Sequence, residues 1–373
     1  MSDIFREITK AGTSIWLDDL SRNYLSGPLQ GLIENFQVRG VTTNPAIFST
    51  AISSSDLYQE DILRLNKNGA DIDQILTALI TDDVQRACDL FLPIYEESHG
   101  VDGRVSLEVD PAFARNTSQT IAHGLELYEL IWRPNLLIKV PATLEGLDAI
   151  TSLTAAGISV NVTLIFSIER YQQVLDAYMK GLESRLSMGK SISMIQSVAS
   201  FFISRIDTAI DPLLSNLEVE EKLVKKLSGK SALANAVLAY QLFENSLKSS
   251  RWLALSAQGA NLQRPLWAST GVKNPLYRST QYVDQLIAPL TVNTMPEKTL
   301  YDLQNLDTVE RSITDESYAD AKAIFAQLSD SGISIELIAQ QLEEEALVKF
   351  LDPWQKLKMN LAQVTGQGLD DER

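Results

Sequence analysis

The chain has 373 residues, 45% of them hydrophobic, and a formal net charge of −16 from 48 acidic and 32 basic residues. That balance argues against nucleic acid or an anionic membrane as a general partner, yet lets a few cations gather an anionic substrate inside a pocket. With Cys88 as its only cysteine and His99 and His123 as its only histidines, the chain can form no internal disulfide, a zinc site is not expected, and a reducing, cytoplasmic compartment fits.

Asp3, Arg6 and Glu7 punctuate the start, unlike a secretory signal. No apolar run approaches the ~20 residues that a membrane span needs. Eight short β-branched or apolar runs then alternate with helical periods. The predicted strands cover 14–17, 41–43, 104–109, 136–140, 160–164, 196–200, 266–270 and 291–293. Between the second and third strands, Ile75, Leu79, Ile80, Val84, Ala87 and Phe91 repeat with helical spacing over 72–93. Asp71 and Gln74 form a capping-box pattern at its start. A second helix is expected over 118–132, and a third from Thr143 to a left-handed stop at Gly157. The stretch 207–265 is too long for one crossover. It reads as helical elaboration, with a charged helix over 218–226, a break at Gly229 and another helix over 231–248. From 315 to about 361 the chain is again helical, with an interruption expected near Asp352-Pro353.

Eight strands evenly interleaved with helices predict a parallel sheet covered by helices. No glycine-rich phosphate loop follows the first strand, which weakens an open, doubly wound sheet. The reading is α/β: a single (β/α)8 barrel domain over 1–373, with extra helices at about 207–265 and a helical tail over 315–373.

Lys139 interrupts the apolar strand between Ile138 and Val140. Desolvation disfavours an ammonium, and a neutral amine attacks carbonyls. A side chain escaping to solvent or paired with a carboxylate is the plainer reading, and taken alone the better one. Barrel active sites lie where strands end, and polar residues gather there. They are Asp18 and Asp19; Thr42, Thr43 and Asn44; Glu108 and Asp110; Lys139; Asn161 and Thr163; Ser200 and Arg205; Ser269, Thr270 and Lys273. Each has a structural use of its own: helix caps for the aspartates, a turn at Asn44-Pro45, a pairing of Arg205 with Asp207 or Asp211. As a set they suit imine chemistry. Lys139 would form an iminium with a ketone, Asp18 and Glu108 would move protons, Asn44 and Asn161 would fix hydroxyls, and Arg205 would grip a phosphate. No metal or other cofactor is needed.

GVTTNP (40–45), GRVSLEVD (103–110), LIKVPAT (137–143), ISVNVTLIF (158–166) and SVASFFISRID (197–207) occur in an order that resembles the transaldolases. The resemblance implies transfer of a dihydroxyacetone unit from sedoheptulose 7-phosphate to glyceraldehyde 3-phosphate. Erythrose 4-phosphate and fructose 6-phosphate would result, in the non-oxidative pentose phosphate pathway. By motif, Lys139 resembles the Schiff-base lysine, Asp18 the acid/base, and Glu108 with Thr163 the pair that positions a catalytic water. Thr43, Asn44, Asn161 and Ser200 resemble substrate ligands, and Arg205 resembles the phosphate arginine. Phe202, close to Ser200, would influence whether water reaches the iminium and so transfer versus release. Sugar phosphates are then the expected partners. The double aspartate leaves Asp19 open as an alternative to Asp18. In ASTGVKNP (268–275) the second phosphate cation would be Lys273. The long sixth crossover and TMPEKTL (294–300) resemble the longer transaldolase subgroup, here without the fused isomerase that some members carry. A lysine-dependent aldolase releasing free dihydroxyacetone is the nearest alternative, and a catalytically silent barrel the more distant one.

Overall fold

The computed structural model describes residues 4–216, 221–310 and 312–368. Eight parallel strands follow one another round a closed barrel: β1 (Thr13–Leu17), β2 (Val38–Thr42), β3 (Arg104–Glu108), β4 (Leu136–Pro141), β5 (Val160–Ile165), β6 (Ser197–Phe202), β7 (Gln263–Ala268) and β8 (Thr291–Met295). Closure runs along the whole of β1, from Thr13 opposite Thr291 to Leu17 opposite Met295. The expected fold class and all eight predicted strands are present.

Almost every strand residue is buried, because inward side chains fill the barrel and outward ones meet the helices. On β4, Ile138 packs outward beneath Gly124 of the helix Thr117–Ile131; a Cβ there would sit 3.4 Å from it. At Gly40 a Cβ would come within 2.6 Å of the Trp16 indole, so the missing side chain admits this large ring.

The predicted caps form. Asp71 accepts from Gln74 N–H at 2.8 Å while Gln74 accepts from Asp71 N–H at 3.1 Å. Thr143 accepts from Gly146 N–H at 2.9 Å, and Gly157 ends that helix at φ 101°. The elaboration between β6 and β7 contains the helices Ser204–Ser215, Glu221–Leu227, Ser231–Ser246 and Ser250–Ala257. Residues 218–220 of the predicted charged helix lie outside the described residues.

Three expectations need correction. The helix predicted to end at Pro93 continues to Glu97. The last helix, Ile335–Thr365, runs unbroken through Pro353; the tail instead breaks after Asp330, where Gly332 has φ 79°. A mid-helix proline costs ~3 kcal/mol, and the buried Phe350, Leu357 and Leu361 on both sides of Pro353 outweigh that loss. The seventh strand begins at Gln263 and accommodates Pro265, and it ends at Ala268 because Ser269 turns left-handed at φ 54°. The last helix packs against the helices Pro45–Ser54, Ile72–Glu97 and Ser204–Ser215, so it lies across the C-terminal end of the barrel. Among the described residues no helix is long and apolar enough to cross a membrane.

Candidate active site

Period two along β4 sends Ile138 outward, and Lys139 therefore points into the barrel, where it is 4% exposed. Its Nζ donates to the Thr43 carbonyl at 2.8 Å and lies 3.2 Å from Glu108 Oε2. The barrel register makes that ion pair, since Glu108 on β3 sits directly opposite Lys139. Burial pushes the Glu108 carboxyl up to about 7 even though the lysine charge pulls it back. Its second oxygen has no hydrogen-bond partner among the described residues, and neither does the buried Thr163 hydroxyl.

Across the barrel, Asp18 follows β1. Thr42 Oγ1 lies 2.9 Å from Asp18 Oδ1 and 2.7 Å from Thr294 Oγ1, so the two hydroxyls can pass a donated hydrogen bond along to the carboxylate. Loss of water raises the Asp18 carboxyl above its ordinary range, while the charge of Lys139, the Thr42 bond and Lys273 draw it down. Asp19 is pushed up to about 6 by burial and by the Asp18 carboxylate next door. Of the two aspartates, Asp18 lines the cavity above Lys139 and Asp19 does not.

Asn44 does two things at once. Its Oδ1 caps the helix Pro45–Ser54 by accepting from Ile47 N–H at 3.0 Å, and the residue also lines the cavity. Ser200 Oγ donates to Asn161 Oδ1 at 2.7 Å, and Asn161 Nδ2 donates to Ser106 Oγ at 2.9 Å. This chain ties β3, β5 and β6 together under the cavity floor. The Thr43 hydroxyl turns away to the Ser106 carbonyl. Asp110 is a structural group: one oxygen caps Ala112 N–H and the other accepts from Trp354.

Arg205 opens the helix after β6, with its guanidinium 5.6 Å from the Phe202 ring centre. Among the described residues neither Asp207 nor Asp211 pairs with it. Their carboxylates accept instead from Tyr282 Oη at 2.7 Å and Tyr277 Oη at 2.6 Å. Arg205 Nη1 is buried without a partner, and burial lowers the guanidinium's affinity for its proton. Lys273, in the loop after β7, faces the same cavity.

The cavity measures about 180 Å³. Asp18, Asn44, Lys139, Ser200, Phe202, Arg205 and Lys273 line it, whereas Thr43, Glu108, Asn161 and Thr163 lie outside its lining, buried in the strands and their ends. Thr294 and Phe350 also line it and were not among the predicted residues. Extending the strand-end rule to the eighth strand would have found Thr294. Phe350 gives no such sign, because on its amphipathic helix it reads as an ordinary core residue. A wider cleft of about 360 Å³ between Ser167, Asn235 and Glu336 holds no comparable grouping of cation, carboxylate and amide.

One buried amine, two carboxylates held above their usual range and a guanidinium with one buried, unpartnered nitrogen can together form an imine, move protons and hold an anion. A family model described as Transaldolase/Fructose-6-phosphate aldolase matches residues 15–361. A protein of Mycobacterium tuberculosis (strain ATCC 25618 / H37Rv) named transaldolase is 49% identical over 352 residues, 94% of each chain. The transaldolase of Frankia alni is 46% identical over 372 residues, 100% of each chain. That of Saccharopolyspora erythraea is 48% identical over 351 residues, again 94% of each.

Proposed function

The chain belongs to the transaldolase/fructose-6-phosphate aldolase family and, by its resemblance to transaldolases along almost its whole length, is a transferase; from that premise we propose that it moves a dihydroxyacetone unit from sedoheptulose 7-phosphate to glyceraldehyde 3-phosphate. Erythrose 4-phosphate and fructose 6-phosphate are the products, in the non-oxidative pentose phosphate pathway of the cytoplasm. The observation that carries this reading is the buried Lys139–Glu108 pair beneath a cavity that also contains Asp18 and a partnerless guanidinium nitrogen of Arg205.

Lys139 must first give up a proton. Glu108, 3.2 Å away with its carboxyl at about 7, is suited to take it near neutral pH. The amine adds to the donor's ketone carbon, and the carbinolamine oxygen leaves as water with a proton returned by Glu108. The unpartnered Thr163 hydroxyl and Glu108 oxygen are the groups that would hold this water. Asp18 then takes the proton of the hydroxyl on the far carbon of the bond that breaks, and that carbon leaves as an aldehyde. The electrons of that carbon–carbon bond flow into the iminium and leave an enamine on Lys139. Arg205, joined by Lys273, anchors the phosphate, and Asn44 and Ser200 orient hydroxyls. An incoming aldehyde reverses the sequence, with Asp18 returning its proton to the new hydroxyl.

Borohydride reduction in the presence of fructose 6-phosphate tests the scheme. A reduced dihydroxyacetone adduct on Lys139 is expected by mass spectrometry, with sugar turnover dependent on an added aldose phosphate. No adduct on Lys139 would sink the Schiff-base reading; turnover independent of the acceptor would make the chain an aldolase.

A further inference from the structure

Eleven of the twelve residues lining the cavity come from barrel strands or the segments that follow them; the exception is Phe350, from the last helix. Its ring centre lies 5.8 Å from Lys139 Nζ, and the side chain is 5% exposed. An ammonium has three N–H groups. Those of Lys139 have the Thr43 carbonyl and Glu108 as partners, and the Phe350 ring covers the nitrogen from the lid side. The other aromatic wall, Phe202, belongs to the phosphate end: it packs 5.1 Å from Phe166 and 5.6 Å from the Arg205 guanidinium. The helix that brings Phe350 is tied down on both sides of it. Trp354 Nε1 donates to Asp110 Oδ2 at 2.9 Å, and Glu343 meets Arg170 at 3.5 Å. Glu344 also pairs with Arg115. The ring is thus held over the reacting nitrogen by contacts to arms that follow β3 and β5.

We propose that Phe350 is a specificity-determining residue whose ring keeps water from the three-carbon Lys139 adduct, so that an aldehyde reaches the enamine before water reaches the short iminium. The inference rests on the Schiff-base reading above. After donor cleavage the enamine has two fates. It can attack an aldehyde carbon and form a new carbon–carbon bond, or its carbon can take the proton held by Asp18 and become an iminium. Water then adds to that iminium carbon, and Lys139 leaves as the free amine with release of dihydroxyacetone. Release consumes the one water that imine formation produced, so no other reactant is required. A dry apolar wall slows water addition, so that aldehyde attack, which needs no water, comes first. The longer iminium it forms is then hydrolysed with that same one water to free the new ketose and Lys139.

The test measures free dihydroxyacetone released from fructose 6-phosphate alone against transfer to erythrose 4-phosphate, using the full-length chain. Phe350→Ala should raise the release-to-transfer ratio about tenfold, the scale of one lost apolar contact in a specificity pocket. The donor KM should stay close to that of the wild type and the borohydride adduct should remain. Phe350→Leu, which keeps apolar bulk, should fall between the two and serves if the alanine variant does not fold. Trp354→Phe removes the Asp110 bond that steadies the helix but keeps the Phe350 ring, and should raise the ratio clearly less than Phe350→Ala. A ratio unaltered in both Phe350 variants while the adduct still forms would overturn the proposal, as would an equal rise in Trp354→Phe. Absence of the adduct in the wild type would instead overturn the Schiff-base reading.

Discussion

At the scale of single residues, the chemistry depends on charges kept where water is scarce. Folding raises the Glu108 carboxyl to about 7, whereas in the unfolded chain it returns to the ordinary value of ~4.3. The folded protein therefore holds this proton more tightly. The stability linked to it is complete below the ordinary value and is lost as pH rises through about 7. Glu108→Gln mimics the protonated carboxyl, so its stability relative to the wild type should climb between mildly acidic and mildly alkaline pH, by roughly 1–3 kcal/mol. Denaturant unfolding across that range checks it, and a pH-independent difference would refute the linkage. Arg205, with one nitrogen unpartnered, should act on phosphate and little else. Arg205→Ala is expected to raise KM for phosphorylated donors by roughly 10–100-fold, equivalent to the loss of a charge-assisted hydrogen bond. Steady-state kinetics with an unphosphorylated ketose as control should show no matching loss.

At the scale of elements, the helix after β6 and the loop after β7 carry Arg205 and Lys273, which both face the cavity, and two tyrosines lock them in register. Tyr277 follows Lys273 on the loop and Tyr282 lies on the short helix Gln281–Asp284 beyond it; Asp211 and Asp207 follow Arg205 on the helix. The same aspartates accept from Gly229 N–H and Ala232 N–H, so the elaboration after β6 is tied into the lock. Gly229 is left-handed at φ 70°, and a Cβ there would strike the Tyr277 ring at 2.7 Å. Tyr277→Phe should therefore loosen Lys273 and raise the donor KM several-fold, roughly the ~1 kcal/mol of one hydrogen bond, with kcat preserved. A fall in kcat at constant KM would show that the tyrosine supports the chemistry instead. Elements also explain the errors over Pro93 and Pro353. Local propensity marks each as a helix end, while packing against the barrel on both sides carries the helix through.

At the scale of the molecule, the end of the barrel opposite the cavity is sealed by charge. Arg264, at the start of β7, donates to Asp102 Oδ1 at 3.0 Å, to the Val101 carbonyl at 2.7 Å and to Ser14 Oγ at 3.0 Å. Ser14 in turn donates to Asp102 Oδ2 at 2.8 Å, so one carboxylate joins β1, the approach to β3, and β7. Asp102→Ala leaves a buried guanidinium without its counter-charge, a loss of about 3–5 kcal/mol. A lower unfolding temperature with unchanged kcat/KM at temperatures where the variant is folded is expected; a matching loss of kcat/KM would mean that the two ends of the barrel are coupled.

Strand order, barrel class and most of the polar residues that gather round the cavity were legible in the chain, because they follow from local rules. Period two, alternating helices and polar groups at strand ends are all written within a few residues of each other, and the strand carrying Lys139 is the clearest case. Distances across the barrel were not legible. That Glu108 meets Lys139, that Asp18 rather than Asp19 lines the cavity, and that Asn161 is spent on Ser106 and Ser200 depend on register between strands far apart in sequence. Phe350 was beyond reach for the same reason. It stands 211 residues from Lys139, and only the packing of a whole helix across the barrel end brings its ring over the amine. Local periodicity determines what each segment becomes; burying all the apolar faces at once decides which of them meet.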